Sequence, residues 1–186
     1  MRFIPLDVMG AYLVEQERIG DSRGYFARAW CRDEFSALGL ASDFVQTNIS
    51  RTEQRGTIRG FHYQLPPHSE AKLVRCVRGA IYDVIADVRP DSPSYRRWAA
   101  VELSADSGNA LYVPRGVATG MQTLTDGAEM LYSATAYYEP DSERGFRFDD
   151  EAFKVEWPLP HGLVSDKDLS WQPFRPDEAL RGLGNA

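Results

Sequence analysis

The sequence predicts an all-β fold, an antiparallel sandwich or barrel with short peripheral helices, and three observations carry that prediction. Short β-favouring runs recur along the chain, Gly, Pro, Asn and Asp punctuate them as turn signals, and one run, residues 80–88, is apolar apart from Asp83 and Asp87.

Taken in order, the first run covers residues 11–17. Residues 32–38 make the best helix: Asp33 and Glu34 lie in its first turn, where the backbone dipole favours acids, Phe35 and Leu38 share a face, and Gly39 supplies the stop. Strands follow at residues 43–49, 57–61 and 72–77, and the stretch from Gln46 to Ser50 alternates polar and apolar residues as a half-buried strand does. Residues 80–88 read as an interior strand, buried on both faces at the centre of a sheet. Further strands are expected at 98–103, 110–113 and 128–137. The chain from about residue 158 onward is richer in Pro and polar residues and reads as an extended segment wrapping the barrel, held down by Trp157 and Trp171. A second helix is expected over 176–183, because Pro176 suits the first position, Asp177 and Glu178 suit the dipole, and Gly184 can end it. No repeat, low-complexity stretch or linker interrupts the chain, so residues 1–186 read as one domain.

Composition narrows the function. With 186 residues, 43% of them hydrophobic, the chain can bury a sizeable core. Its net charge is -6, and Lys and Arg are scattered among acids, which argues against a nucleic-acid surface while leaving room for an anionic small molecule held by a few inward arginines. Cys31 and Cys76 form no metal-binding pattern and read as reduced thiols of a cytoplasmic protein. Pro5 and Asp7 break the apolar start, and no stretch approaches the roughly 18 apolar residues of a membrane span, so neither a leader nor an anchor is expected.

The chemistry centres on His62. It ends a β-type run, with Arg59 before it and Lys72 shortly after. Strict alternation would point Arg59 and His62 to opposite faces, so Gly60 is a candidate bulge that brings both into one cavity. A histidine hydrogen-bonded in the core is the plain alternative. A metal is not expected: many β-sandwich enzymes use His-x-His with a Glu and a later His, whereas His62 and His68 are six apart across Pro66 and Pro67. Without a metal, an imidazole amid cations suits proton abstraction from carbon beside a carbonyl, the cations stabilising the enolate. A neutral imidazole is available near physiological pH. Inversion needs a second group on the opposite face, and a tyrosine hydroxyl can serve, although nine tyrosines leave that choice open. Arg23 sits in a turn, and residues 114–116 form a turn signature before they form an anion site.

Ten segments, in order and spacing, resemble the dTDP-4-dehydrorhamnose 3,5-epimerase family over nearly the whole chain: GDSRGYF (20–26), QTNIS (46–50), IRGFHYQ (58–64), KLVRCVRGAIYDVIADVR (72–89), DSPSYRRW (91–98), VPRGVATGMQTL (113–124), AEMLY (128–132), YYEPDSERGFRFDD (137–150), EWPL (156–159) and SDKDLSW (165–171). The resemblance implies a cupin-type jelly roll, a homodimer that exchanges N-terminal strands, and catalysis with no metal or organic cofactor. It makes His62 the general base, Asp168 its orienting carboxylate, Tyr132 the general acid and Lys72 a group at the keto oxygen. Arg23, Gln46, Asn48, Arg59, Glu143 and Lys167 are assigned by the same resemblance to a nucleotide-diphosphate keto-sugar, with Tyr138 stacking on the base. Paired guanidinium groups grip a diphosphate, and an aromatic face suits a base.

Two positions depart from the family pattern. Residues 116–121 read Gly-Val-Ala-Thr-Gly-Met where the family has Gly-Phe-Ala-His-Gly-Phe, so the Thr119 hydroxyl stands where a second imidazole is usual. It can bond a sugar oxygen but cannot carry charge, which points to inversion at one carbon only, 3 or 5, or to a differently substituted sugar. Arg28 stands where the family usually has Glu; a guanidinium donates, so the expected base would be one other than thymine. Two rival readings remain open at this point, a non-catalytic nucleotide-sugar binding cupin and a metal-dependent cupin oxygenase.

Overall fold

The computed structural model describes residues 1–183. The strands run, in chain order, β1 (Arg2–Pro5), β2 (Tyr12–Glu15), β3 (Arg18–Asp21), β4 (Gly24–Ala27), β5 (Gln46–Thr52), β6 (Ile58–Gln64), β7 (Lys72–Arg78), β8 (Ala80–Asp87), β9 (Trp98–Ser104), β10 (Ala110–Val113), β11 (Val117–Thr123), β12 (Ala128–Ala134) and β13 (Glu143–Gly145). Two short helices accompany them, α1 (Arg32–Ser36) and α2 (Asp166–Ser170).

The strands make two facing sheets, β1-β2-β10-β7-β12-β5 and β13-β6-β11-β8-β9, with β3 and β4 as a separate hairpin. Every pairing between named strands is antiparallel. This is the all-β jelly roll expected of the sequence. Between the sheets lies a core drawn from both, with Val74, Leu111 and Ala128 on one side and Ile81, Ile85 and Met121 on the other. A second cluster covers the outer face of the β8 sheet, where Phe61, Val84 and Phe146 meet Trp157, Phe174 and Leu180 from the C-terminal segment. α1 closes the outer face of the other sheet, its Phe35 packed with Val14, Leu73 and Tyr112.

β8 is therefore buried on both faces, Ile81 and Ile85 inward and Val84 and Ala86 outward, as its near-continuous apolar run predicts. It lies between β11 and β9, one place from the sheet edge rather than at its centre. β1, β3, β4, β11 and β13 were not foreseen. β11 is masked by Gly120, which weakens a strand signal; the position is tight, since a Cβ there would stand 3.2 Å from the Phe61 ring.

α1 stops at Ser36, and Gly39 follows in the left-handed region with φ of 71°. The helix expected over 176–183 is only a 3-10 turn at Glu178–Leu180. Gly182, with φ of 85°, interrupts it, and the expected stop at Gly184 lies outside the described residues. The segment before it packs on the barrel instead of coiling: Ile58 N–H donates to Leu163 O at 2.9 Å, and Ile58 bridges Val164 in parallel.

Candidate active site

Between the sheets, near their β5 and β13 edges, opens a cavity of about 370 Å3. Both sheets supply its walls. From β5 the alternating residues Gln46, Asn48 and Ser50 face it, and from β12 Met130, Tyr132 and Ala134 do the same, so each strand's period of two decides which side chains enter.

β6 breaks that alternation at Gly60. His62 pairs with Thr119 and Gly60 pairs with Gly120, so two steps on β6 match one on β11 and Phe61 is the extra residue. The bulge turns both Arg59 and His62 into the cavity, as the sequence spacing requires. Gly60 takes φ of 103°, and a Cβ there would lie 2.5 Å from Thr119 O, so no other residue fits.

Behind His62 stands Asp168. Its Oδ1 is 2.6 Å from His62 Nε2, and its Oδ2 accepts from Gly60 N–H at 3.3 Å. Asp168 reaches this place because α2 is capped by Ser165, whose Oγ accepts from Asp168 N–H at 3.1 Å. Burial pushes the Asp168 carboxyl up, but the His62 hydrogen bond and charge outweigh it and hold the group below the usual aspartate range. Trp171 flanks the pair, its ring 6.3 Å from the imidazole. The indole lies so close to Gly145 that a Cβ there would fall 2.5 Å from it.

Tyr132 enters from the opposite sheet, β12, where it pairs with Asn48 on one side and Val74 on the other. Lys72 lies in the same wall: its Nζ is 3.1 Å from Glu70 Oε1 and donates to Thr119 Oγ1 at 3.3 Å. Glu70 is held in turn by Gln64 Nε2 at 2.9 Å. At the mouth, Glu143 accepts from Lys167 Nζ at 2.7 Å and from the Tyr138 hydroxyl at 3.0 Å. Burial pushes the Glu143 carboxyl up, and Lys167 and Tyr138 bring it below the ordinary glutamate value. Arg59 is anchored through Nε on Thr52 Oγ1 at 3.0 Å rather than by a carboxylate, which leaves its charge for a ligand.

Every residue expected at the site lines this cavity except two. Arg23 lies at the tip of the β3–β4 hairpin, 87% exposed and ion-paired with Asp21 at 2.5 Å. Arg28, expected to select the base, pairs with Glu34 at 2.9 Å, and Glu34 also holds the N-terminal amine at 2.8 Å. His68 bonds Ser142 Oγ at 2.8 Å and His161 lies tilted against Phe148, ring centroids 5.2 Å apart; neither lines the cavity. Sequence reasoning missed Gln64, Glu70 and Asp83, which do line it. For Asp83 the signal was present, an acid inside an apolar strand.

Among the described residues no group of three or more His, Cys, Asp or Glu side chains is arranged to hold a metal ion. The arrangement offers an imidazole with its carboxylate on one wall, a phenol and an ammonium on the facing one, and a charged, aromatic mouth. Such a set can take a proton from one face of a bound carbon acid and return it from the other.

The family model described as dTDP-4-dehydrorhamnose 3,5-epimerase matches residues 5–176. A dTDP-4-dehydrorhamnose 3,5-epimerase of Shigella flexneri is 38% identical over 94% of this chain and 96% of its own. A dTDP-4-dehydrorhamnose 3-epimerase of Streptomyces niveus is 34% identical over 90% of this chain and 81% of its own. The crystal structure of dTDP-4-dehydrorhamnose 3,5-epimerase from Elizabethkingia anophelis superposes with a TM-score of 0.91 at 34% identity, covering 94% of this chain and 96% of that one.

Proposed function

The chain belongs to the dTDP-4-dehydrorhamnose 3,5-epimerase family, and we propose on that premise that it is an isomerase that epimerises a dTDP-linked 4-keto-6-deoxy sugar. One observation carries the mechanism: His62, backed by Asp168 at 2.6 Å, and Tyr132 enter one cavity from opposing sheets. The keto group acidifies the carbons beside it. His62 removes a proton from one of them, and Asp168 holds the ring in place and stabilises the imidazolium that forms. Lys72 stabilises the negative charge that moves onto the keto oxygen. Tyr132 then gives a proton to the other face, and the carbon is inverted.

Arg59 grips the diphosphate, while Gln46, Asn48, Glu143 and Lys167 hold the rest of the nucleotide sugar and Tyr138, half open to solvent at the mouth, offers its ring to the base. Thr119 bonds Lys72 where a second charged group would otherwise stand, which supports inversion at a single carbon, 3 or 5. The relatives' names favour thymine as the base over the alternative that Arg28 suggested. A strand-exchanged homodimer is part of this reading. The β3–β4 hairpin bears Ile19 and Phe26 at 73% and 70% exposure, and a second copy would cover them and bring Arg23 and Arg28 to the partner's cavity. Free thiols at Cys31 and Cys76 support a cytoplasmic setting.

Incubation with the dTDP-linked 4-keto-6-deoxy sugar in deuterium oxide, read by proton NMR, tests the epimerase reading. Deuterium is expected at one carbon beside the keto group. Exchange at both overturns the single-site version, and uptake at background overturns the enzyme and leaves a binding protein.

A further inference from the structure

A carboxyl at the floor of the cavity has no part in the mechanism above. Asp83 lies on β8 at the floor between the sheets, 2% exposed, and its Oδ2 accepts no hydrogen bond. A buried carboxyl oxygen without a partner costs free energy unless its group is neutral or serves a ligand. Its charged surroundings are few. From the β7 side come Lys72, with Glu70 just before that strand, and the buried Cys76 thiol. β12 brings Tyr132 and β6 brings His62 to the same cavity. β9 presents Val101 and β11 presents Met121 opposite Asp83, neither of which titrates.

Lys72 is the cation that the reaction needs, and Glu70 already lies 3.1 Å from it. One ammonium and one carboxylate balance. A second carboxylate on this buried floor would leave it net negative, the wrong sign for a site where an enolate gathers charge. We propose that Asp83 is a positioning residue that sets the charge of the cavity floor: protonated, it leaves the Lys72 ammonium to the ligand, and ionised, it draws that ammonium away and switches the site off. The inference rests on the epimerase reading. Burial pushes the Asp83 carboxyl up to about 7, with Lys72 and the Val84 amide pulling the other way, so the switch falls in the physiological range.

The test is the pH profile of deuterium exchange in the wild type and in Asp83→Asn, whose amide is neutral at every pH. Wild-type kcat is expected to fall roughly tenfold or more from about pH 6.5 to about pH 8.5, and the fall is expected to shrink to less than about threefold in the variant. A fall of the same size in both overturns the proposal. As a check that does not depend on the variant folding, the wild-type Asp83 side-chain carboxyl is also titrated by carbon-13 NMR. A midpoint near 7 supports the proposal, and one below about 5 overturns it. Wild-type protein that exchanges no deuterium at any pH sinks the epimerase reading instead, and the carboxyl titration then decides on Asp83 alone.

Discussion

Asp83 and Asp87 are four residues apart on β8, both buried, and the protein treats them in opposite ways. Asp87 closes one end of the barrel. Arg89 Nε lies 2.8 Å from it, and the hydroxyls of Ser92 and Ser94 each donate at 2.5 Å. Burial pushes its carboxyl up, yet these partners outweigh burial and hold it below the usual aspartate range. Asp83 has the same burial and none of those partners, and is pushed up to about 7. A saturated buried acid is architecture. An unsaturated one opening on a cavity is available for chemistry.

The largest effect expected from this contrast is on stability. Arg89→Met leaves Asp87 buried without its cation and should cost about 3–5 kcal/mol, a fall in Tm of roughly 10 °C by calorimetry. An equal loss in Asp83→Asn would erase the distinction. Asp168 sharpens it, because that acid is paired and yet reacts through His62. Asp168→Asn should lower kcat roughly 100-fold or more while KM changes little, read by deuterium exchange.

Asp83→Asn should raise Tm by a few degrees at neutral pH. The sign follows from proton linkage. An acid whose folded value is raised binds more protons in the folded state, so wild-type stability falls as pH climbs from the ordinary aspartate value toward about 7, then levels. The variant's advantage should be absent near about pH 4, grow to about pH 7 and stay constant above it. Ser94→Ala should cost about 1–2 kcal/mol through Asp87. That loss has the opposite dependence: a depressed acid stabilises above its ordinary value and ceases to do so as pH drops through its folded one, so the penalty should shrink in acid.

Both acids were visible in the sequence, but only as interruptions of an apolar run. Their difference depends on what β7, β9 and the turn at residues 88–97 bring near them, which spacing on β8 alone does not encode. Elements with a strong period were legible: β7 and β8 lie where alternation or apolar runs put them, while β5 runs over 46–52 rather than 43–49 and β12 ends at Ala134 rather than at 137. The Gly60 bulge was legible too, because Arg59 and His62 needed it. α2 was hidden by its length, five residues being too few for a helical period to show, and so was the reason Asp168 reaches His62. Arg23 and Arg28 were assigned by resemblance to a ligand that they do not approach within their own chain, since they sit on a hairpin that stands apart from both sheets.

The hydrogen bond between His62 and Asp168 spans 106 residues of chain. During synthesis both sheets are complete once Gly145 has emerged from the ribosome, well before Asp168 does. A chain whose strands have all been made therefore still lacks the carboxylate that its imidazole depends on. A protease cut between residues 149 and 164 that freed the later segment would strip His62 of that carboxylate and the outer face of the β8 sheet of Phe174 and Leu180.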